Sequence, residues 1–109
     1  MPSKRVYSPY THEAALLLGK LIQLGRKEKK MTTKDLADRA GIARGTLQKI
    51  EQGKLTSEIG LVFEVATLAG IKLFETNTPI TQQLENITNK VALLPQSIRQ
   101  NKKEVDDDF

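Results

Sequence analysis

Residues 32–54, TTKDLADRAGIARGTLQKIEQGK, decide the fold of this chain. Thr32 has the chemistry of a helix N-cap, because a Thr hydroxyl can accept from a free first-turn amide. Asp35 stands three residues on, where a capping box places Glu or Gln, although Asp is one methylene shorter than Glu. A short helix is predicted over 33–40, with Leu36, Ala37 and Ala40 inward, ended by Gly41 as a left-handed residue past the last turn. Ile42 plugs the turn. A second short helix follows over 44–52, with Leu47 and Ile50 inward and Gly53 as its stop. The small Ala37 allows the pair to cross closely, and the Gly41-Ile42-Ala43 turn leaves the start of the second helix standing out from the body.

That outward half carries Arg44, Gly45, Thr46, Gln48 and Lys49. A major groove admits one helix. Arg donates bidentately to guanine, Gln pairs with adenine, and Lys reaches guanine or phosphate. The plain alternative is a solvated charged face.

Working outward, residues 1–10 (MPSKRVYSPY) lack a helical period and read as a mobile basic arm. Lys4 and Arg5 there suit either a minor groove or an ordinary free terminus. Thr11 is the expected N-cap of a first helix reaching about Lys29, with Ala15, Leu18, Leu21, Ile22 and Leu24 at helical spacing. The cluster Arg26, Lys27, Lys29 and Lys30 closes that helix, where cations favour the dipole without any DNA. Ser57 or Thr56 is expected to cap a fourth helix over 58–69, with Ile59, Val62, Phe63, Ala66 and Leu68 supplying its apolar faces and Gly70 ending it. Ile71–Phe74 reads as a strand or a further helical turn. Thr78-Pro79 then reads as N-cap and first residue of another helix. Along it Ile80, Leu84, Ile87, Val91 and Leu94 recur at alternating spacings of four and three. That seam serves a dimer or the domain's own core. Residues 96–109 are polar and end in Asp106-Asp107-Asp108-Phe109, a solubilising tail or a linear motif for a basic partner.

The totals set outer limits. The chain has 109 residues, one domain's worth, and five aromatics with no Trp. It has no Cys, which excludes disulfides and thiolate metal sites. Residues 1–54 carry twelve Lys and Arg against five Asp and Glu, a balance of +7, whereas 55–109 carry five against eight, a balance of −3. The basic half suits a polyanion. No secretory signal or membrane span is visible, so a cytoplasmic, nucleoid-associated protein is expected. The single His12 has no triad partner, no glycine-rich phosphate loop is present, and no metal-ligand cluster stands out. Neither catalysis nor a cofactor is expected.

The stretch 32–54, with Leu21–Lys30 before it and Ser57–Leu73 after it, resembles the Xre/Cro-type helix-turn-helix repressors of phages and bacteria. The pattern that carries the resemblance is Leu36-Ala37, Ala40-Gly41-Ile42, Thr46-Leu47 and Ile50-Glu51-Gln52-Gly53-Lys54. It implies an all-α, lambda-repressor-like domain of five helices over 11–75, an added C-terminal helix over 76–95, and homodimeric binding to a palindromic operator in double-stranded DNA. It assigns base reading to Arg44 and Gln48, with Lys49 beside them. Backbone contacts fall to Thr33, Gly45, Thr46 and Lys54, and a structural salt bridge to Arg26 and Glu51. Three residues depart from the pattern: Ala43 where a capping Ser or Thr is usual, Gly45 where a base-contacting side chain is common, and Thr33 where Gln is usual. The arm, the Ile59–Ala66 stretch and the Leu-Pro segment leading to the acidic end look more narrowly like HipB-like antitoxins. That resemblance implies autoregulation of a toxin–antitoxin operon and a HipA-like kinase partner.

Overall fold

Ser8 and Pro9 set the start of the first helix, α1 (Pro9–Glu28). The Ser8 side chain accepts from the Thr11 amide at 3.2 Å, and Pro9 sits where its missing N–H costs nothing. The helix therefore begins two residues before Thr11, and the arm read over 1–10 gives up its last two residues to α1. The computed structural model describes residues 5–74 and 76–96. Lys4 and the acidic Asp106–Asp108 segment lie outside them. Among the described residues there are five helices and no strand, so the protein is all-α.

Met31 follows the end of α1 and returns its amide to the Arg26 carbonyl at 3.0 Å, with Lys30 held at φ 60° between them. α2 (Thr33–Ala40) begins on a complete capping box: the Asp35 amide donates to Thr32 Oγ1 at 3.0 Å, and the Thr32 amide donates to Asp35 Oδ2 at 2.9 Å. Asp is long enough after all. These bonds with Thr32 hold the Asp35 carboxyl below the ordinary carboxylate range. Gly41, at φ 73°, ends α2, and the Ile42 amide reaches back to the Ala37 carbonyl at 3.0 Å.

α3 (Arg44–Glu51) starts at Ala43, which offers no side-chain cap, and ends through Gly53 at φ 77°. Ala43 already has the extended backbone of a capped start, φ −72° and ψ 150°. Ala43→Ser is therefore expected to raise stability by about 1 kcal/mol, read as a higher urea midpoint at unchanged slope.

α4 (Ile59–Leu68) is preceded by Glu58, not capped by Thr56 or Ser57, and no side chain bonds its first amides. Ile71–Leu73 is neither strand nor helix; Ile71 and Leu73 simply pack on the core. α5 (Ile80–Ala92) starts one residue later than expected, with Pro79 at the cap, and Gln83 Nε2 donating to the Thr78 carbonyl at 2.7 Å. The fifth helix of the chain is thus the C-terminal one, and four helices form the body before it. The chain falls into two compact units, Met1–Leu73 and Phe74–Phe109.

The core of the first unit is small: Ile22, Met31, Leu36, Ala37, Leu47, Ile50, Val65, Ala66 and Ala69. Each fully buried Leu or Ile contributes roughly 1.5–3 kcal/mol. Two helix faces differ from the sequence reading. α4 turns Val65 inward and leaves Ile59 68 % and Phe63 42 % exposed. α1 turns Gly19, Ile22, Gly25 and Arg26 inward, while Leu21 and Leu24 stay exposed. The cause is close backbone approach. A methyl at Gly19 would collide with the Glu51 and Ile50 carbonyls, and one at Gly25 with the Ala69 carbonyl. The face of α1 that meets its neighbours is set by the two glycines, where backbones approach, with Ile22 and Arg26 filling the space beside them.

Candidate nucleic-acid interface

α3 is held by its inner residues and displayed by the rest. Leu47 and Ile50 are buried beneath it, whereas Arg44, Gly45, Gln48 and Lys49 are exposed on its outer side and Thr46 is half-buried. The exposed set occupies the first turn and the face continuing from it. Of this set, the resemblance assigns base reading to Arg44, Gln48 and Lys49 and a backbone contact to Gly45. Among the described residues, Arg44, Lys49 and Lys54 form no ion pair, so their charge is available to a polyanion. Lys34, on the first turn of α2, is already paired with Asp38 at 2.8 Å.

A polar cleft lies on each side of α3. On one side Leu16, Lys20, Gln23, Arg26, Thr33, Gln48, Glu51 and Gln52 surround an open cleft of about 540 Å³. On the other, Thr46, Lys49, Thr56, Ser57, Glu58 and Leu61 border one of about 340 Å³. The helix is thus a ridge between two troughs. A duplex whose major groove accepts the ridge carries its two phosphate strands along such flanks. The first cleft brings Thr33 and Gln48 together across α2 and α3. The second brings Thr46 and Lys49 to the loop before α4. Arg44 and Gly45 line neither, and Lys54 lies exposed just past the helix.

Arg26 and Glu51 form the floor that fixes α3 against α1. Arg26 Nε donates to Glu51 Oε2 at 2.8 Å, Nη2 donates to Oε1 at 3.1 Å, and Nη1 donates to the Met31 carbonyl at 3.0 Å. Both side chains are only 8 % exposed. Hydrogen bonding to Glu51, aided by its charge, outweighs desolvation and holds the Arg26 pKa above its ordinary value. The two residues are spent on each other, so the cation that Arg26 adds to the basic cluster is not offered to DNA. The fork geometry of guanidinium and carboxylate fixes the roll of α3 as well as its distance.

Sequence reasoning did not single out Lys20 and Gln23 of α1, or Thr56 and Ser57 before α4, as members of these clefts. Each is an ordinary polar residue in its own window. Only the crossing of the helices puts them beside α3. Arg5, in the segment before α1, stacks over Tyr7 at 5.5 Å, and Tyr7 meets His12 edge-on. His12 is thereby occupied as an exposed first-turn ring. No His, Asp or Glu cluster among the described residues is arranged to hold a metal, and none of the described helices is long and apolar enough to cross a membrane.

A family model described as Helix-turn-helix matches residues 22–75, from the middle of α1 to the segment after α4. No match is found among curated proteins or among solved structures. The matched span contains the Thr32 capping box, the Gly41 turn, the outward α3 and the Arg26–Glu51 tie. Over residues 22–75 the chain is thus similar to the helix-turn-helix family, a likeness that supports the Xre type and DNA binding.

Proposed function

We propose that this protein is a sequence-specific transcriptional repressor that binds a palindromic DNA operator as a homodimer. The observation that carries the reading is α3 itself: its unpaired Arg44, Gln48 and Lys49 project outward between two polar clefts. Arg44 and Gln48 choose the sequence. Thr33, Thr46, Lys54 and the Gly45 backbone set position on the phosphates. Two copies place two α3 helices about 34 Å apart, one DNA turn. The seam of α5, with Ile80, Leu84, Ile87 and Val91 exposed along the helix and Leu94 exposed just past its end, supplies a contact between copies. The narrower resemblance to HipB-like antitoxins adds an operon shared with a HipA-like kinase, repressed by this chain and its partner together.

Competition binding to operator and random duplex at several salt concentrations tests the reading. Arg44→Ala is expected to lose about 1–3 kcal/mol on the operator and little on random DNA, flattening the preference. Lys54→Ala is expected to weaken both about equally and to lower the salt slope by about one. An operator preference that survives Arg44→Ala removes Arg44 from base reading. Equal affinity of the unaltered protein for every duplex removes the repressor assignment itself.

A further inference from the structure

We infer that the outward apolar ridge of α1 is the seat for α5 of a second copy of this chain, lying antiparallel to it. The inference rests on the dimer reading above and specifies which surfaces meet.

α1 meets its neighbours through Gly19, Ile22, Gly25 and Arg26, and a second apolar stripe is left on another face. Tyr10, Ala14, Leu17, Leu21 and Leu24 are all exposed and recur at spacings of four, three, four and three. The exposures of Tyr10, Leu17 and Leu24 are 79 %, 61 % and 53 %. None of the five lines a cleft beside α3. Four of them precede residue 22, where the helix-turn-helix match begins.

The second ridge has the same form. Ile80, Leu84, Ile87, Val91 and Leu94 repeat the spacings in the same order, and α5 buries no residue. A helix of 13 residues standing alone is marginal in water, so such a helix needs cover along its apolar side. Phe74, Ile80, Gln83, Leu84 and Ile87 shape a shallow apolar groove of about 280 Å³ on it. Set antiparallel, the two ridges pair Leu24 with Ile80, Leu21 with Leu84, Leu17 with Ile87 and Ala14 with Val91, with Leu94 just past the end of α5. The three leucines then fall on the groove.

Charge selects the direction and the partner. Along the edge of the seam, Glu13 and Lys20 flank the α1 ridge, and Gln83 and Lys90 flank that of α5. The antiparallel pairing sets Glu13 opposite Lys90 and Lys20 opposite neutral Gln83. A parallel pairing sets Glu13 against Thr88, with no opposite charge. Two α5 helices facing each other have only Thr81, Gln83, Thr88 and Lys90 along their edges, with no acid to meet the lysine.

Length selects exchange between copies. The α1 ridge spans about 21 Å and the helical ridge of α5, Ile80 to Val91, about 16 Å, and an exchanged dimer makes two such contacts where an α5 pair makes one, moving the buried area toward the 1,200–2,000 Å² of stable interfaces. Were α5 to cover α1 of its own chain, both ridges would be consumed within one copy and the dimer would lose this contact.

The chain has no Cys, so a disulfide can report the pairing without background. One preparation carries Leu17→Cys and another Ile87→Cys; each is oxidised alone and then mixed with the other, with helicity checked by circular dichroism. A covalent dimer is expected in the mixture and in neither preparation alone. Ile87→Cys linking to itself shows two α5 helices in contact and overturns the proposal. A chain carrying both substitutions is expected to link into dimers; closing as a monomer shows α5 on its own α1 and also overturns it. Sedimentation of the unaltered protein separates this failure from that of the dimer reading, which falls only if the protein stays monomeric. Independently, Glu13→Lys and Lys90→Glu are each expected to weaken dimerisation by up to about thirtyfold, since the exchanged dimer holds the pair twice, and to restore it when combined. Additive losses in the double variant remove the antiparallel register.

Discussion

Glu51→Ala is expected to cost about 3–5 kcal/mol of folding stability, because it leaves the Arg26 guanidinium buried without its counter-charge. Arg26 is 6 % exposed and all three of its nitrogens donate, two of them to Glu51. Removing the carboxylate takes away both bonds and the charge, while the Met31 carbonyl can satisfy only Nη1. Small domains have about 5–15 kcal/mol in total, so the variant should be near the edge of folding at 25 °C. The size of the loss measures the orphaned cation and not the worth of the pair. Arg26→Met with Glu51→Leu, which removes both charges and keeps apolar volume, is therefore expected to lie close to the unaltered protein. Urea unfolding of the single and double variants decides it. A loss below about 1 kcal/mol for Glu51→Ala would show that Arg26 escapes to water and that the tie between α1 and α3 is dispensable. Because Glu51 is the last residue of α3, the single variant should also lose operator affinity beyond what its folded fraction explains. The double variant, which folds but lacks the fork geometry, tests whether the pair also orients the reading helix.

The parts of this structure that were legible in the sequence are those set by local chemistry. α2 and its turn into α3 follow from Thr32, Asp35 and Gly41, whose roles depend on backbone atoms no more than five residues away. Leu36, Ala37, Leu47 and Ile50 are inward in the structure as their spacing requires. The start of α1 was misplaced because two capping hydroxyls compete, and Ser8 wins by standing directly before Pro9. The inner faces of α1 and α4 were only partly legible for a different reason. Periodicity marks every apolar residue on a helix, but it does not say which stripe meets the neighbours. On α1 the two glycines select the stripe, through carbonyls of α3 and of the α4 C-cap that lie 32 and 44 residues away in sequence. The clefts beside α3 were invisible on the same grounds, since Lys20 and Thr33 line one cleft only once α1 and α2 have each packed on α3.

Gly19→Ala carries the second large effect, and its sign is set by a contest between two terms. In an isolated helix the change is favourable by about 1 kcal/mol, because Ala has the higher helix propensity. At Gly19 the new methyl would press on the Glu51 and Ile50 carbonyls, which belong to the backbone of α3 and cannot swing aside. Overpacking of this kind costs about 1–3 kcal/mol, and a backbone obstacle belongs at the upper end. The collision should therefore win, with a net loss of about 2 kcal/mol and α3 pushed away from α1. Gly60→Ala, within α4, is the matched control: nothing lies within 4 Å of its added methyl, so the propensity term stands alone and a gain of about 1 kcal/mol is expected. The displacement should also reach function. The Arg26–Glu51 bonds are 2.8 and 3.1 Å long with both side chains buried, and a shift of α3 by a few tenths of an ångström strains them. Gly19→Ala should then reduce operator affinity while leaving Arg44, Gln48 and Lys49 chemically intact. Urea midpoints for the two glycine variants, with operator and random-duplex binding for each, give the comparison. Equal gains at Gly19 and Gly60 would mean that α1 and α3 are not in backbone contact, and the packing that aims the reading helix would have to be redrawn.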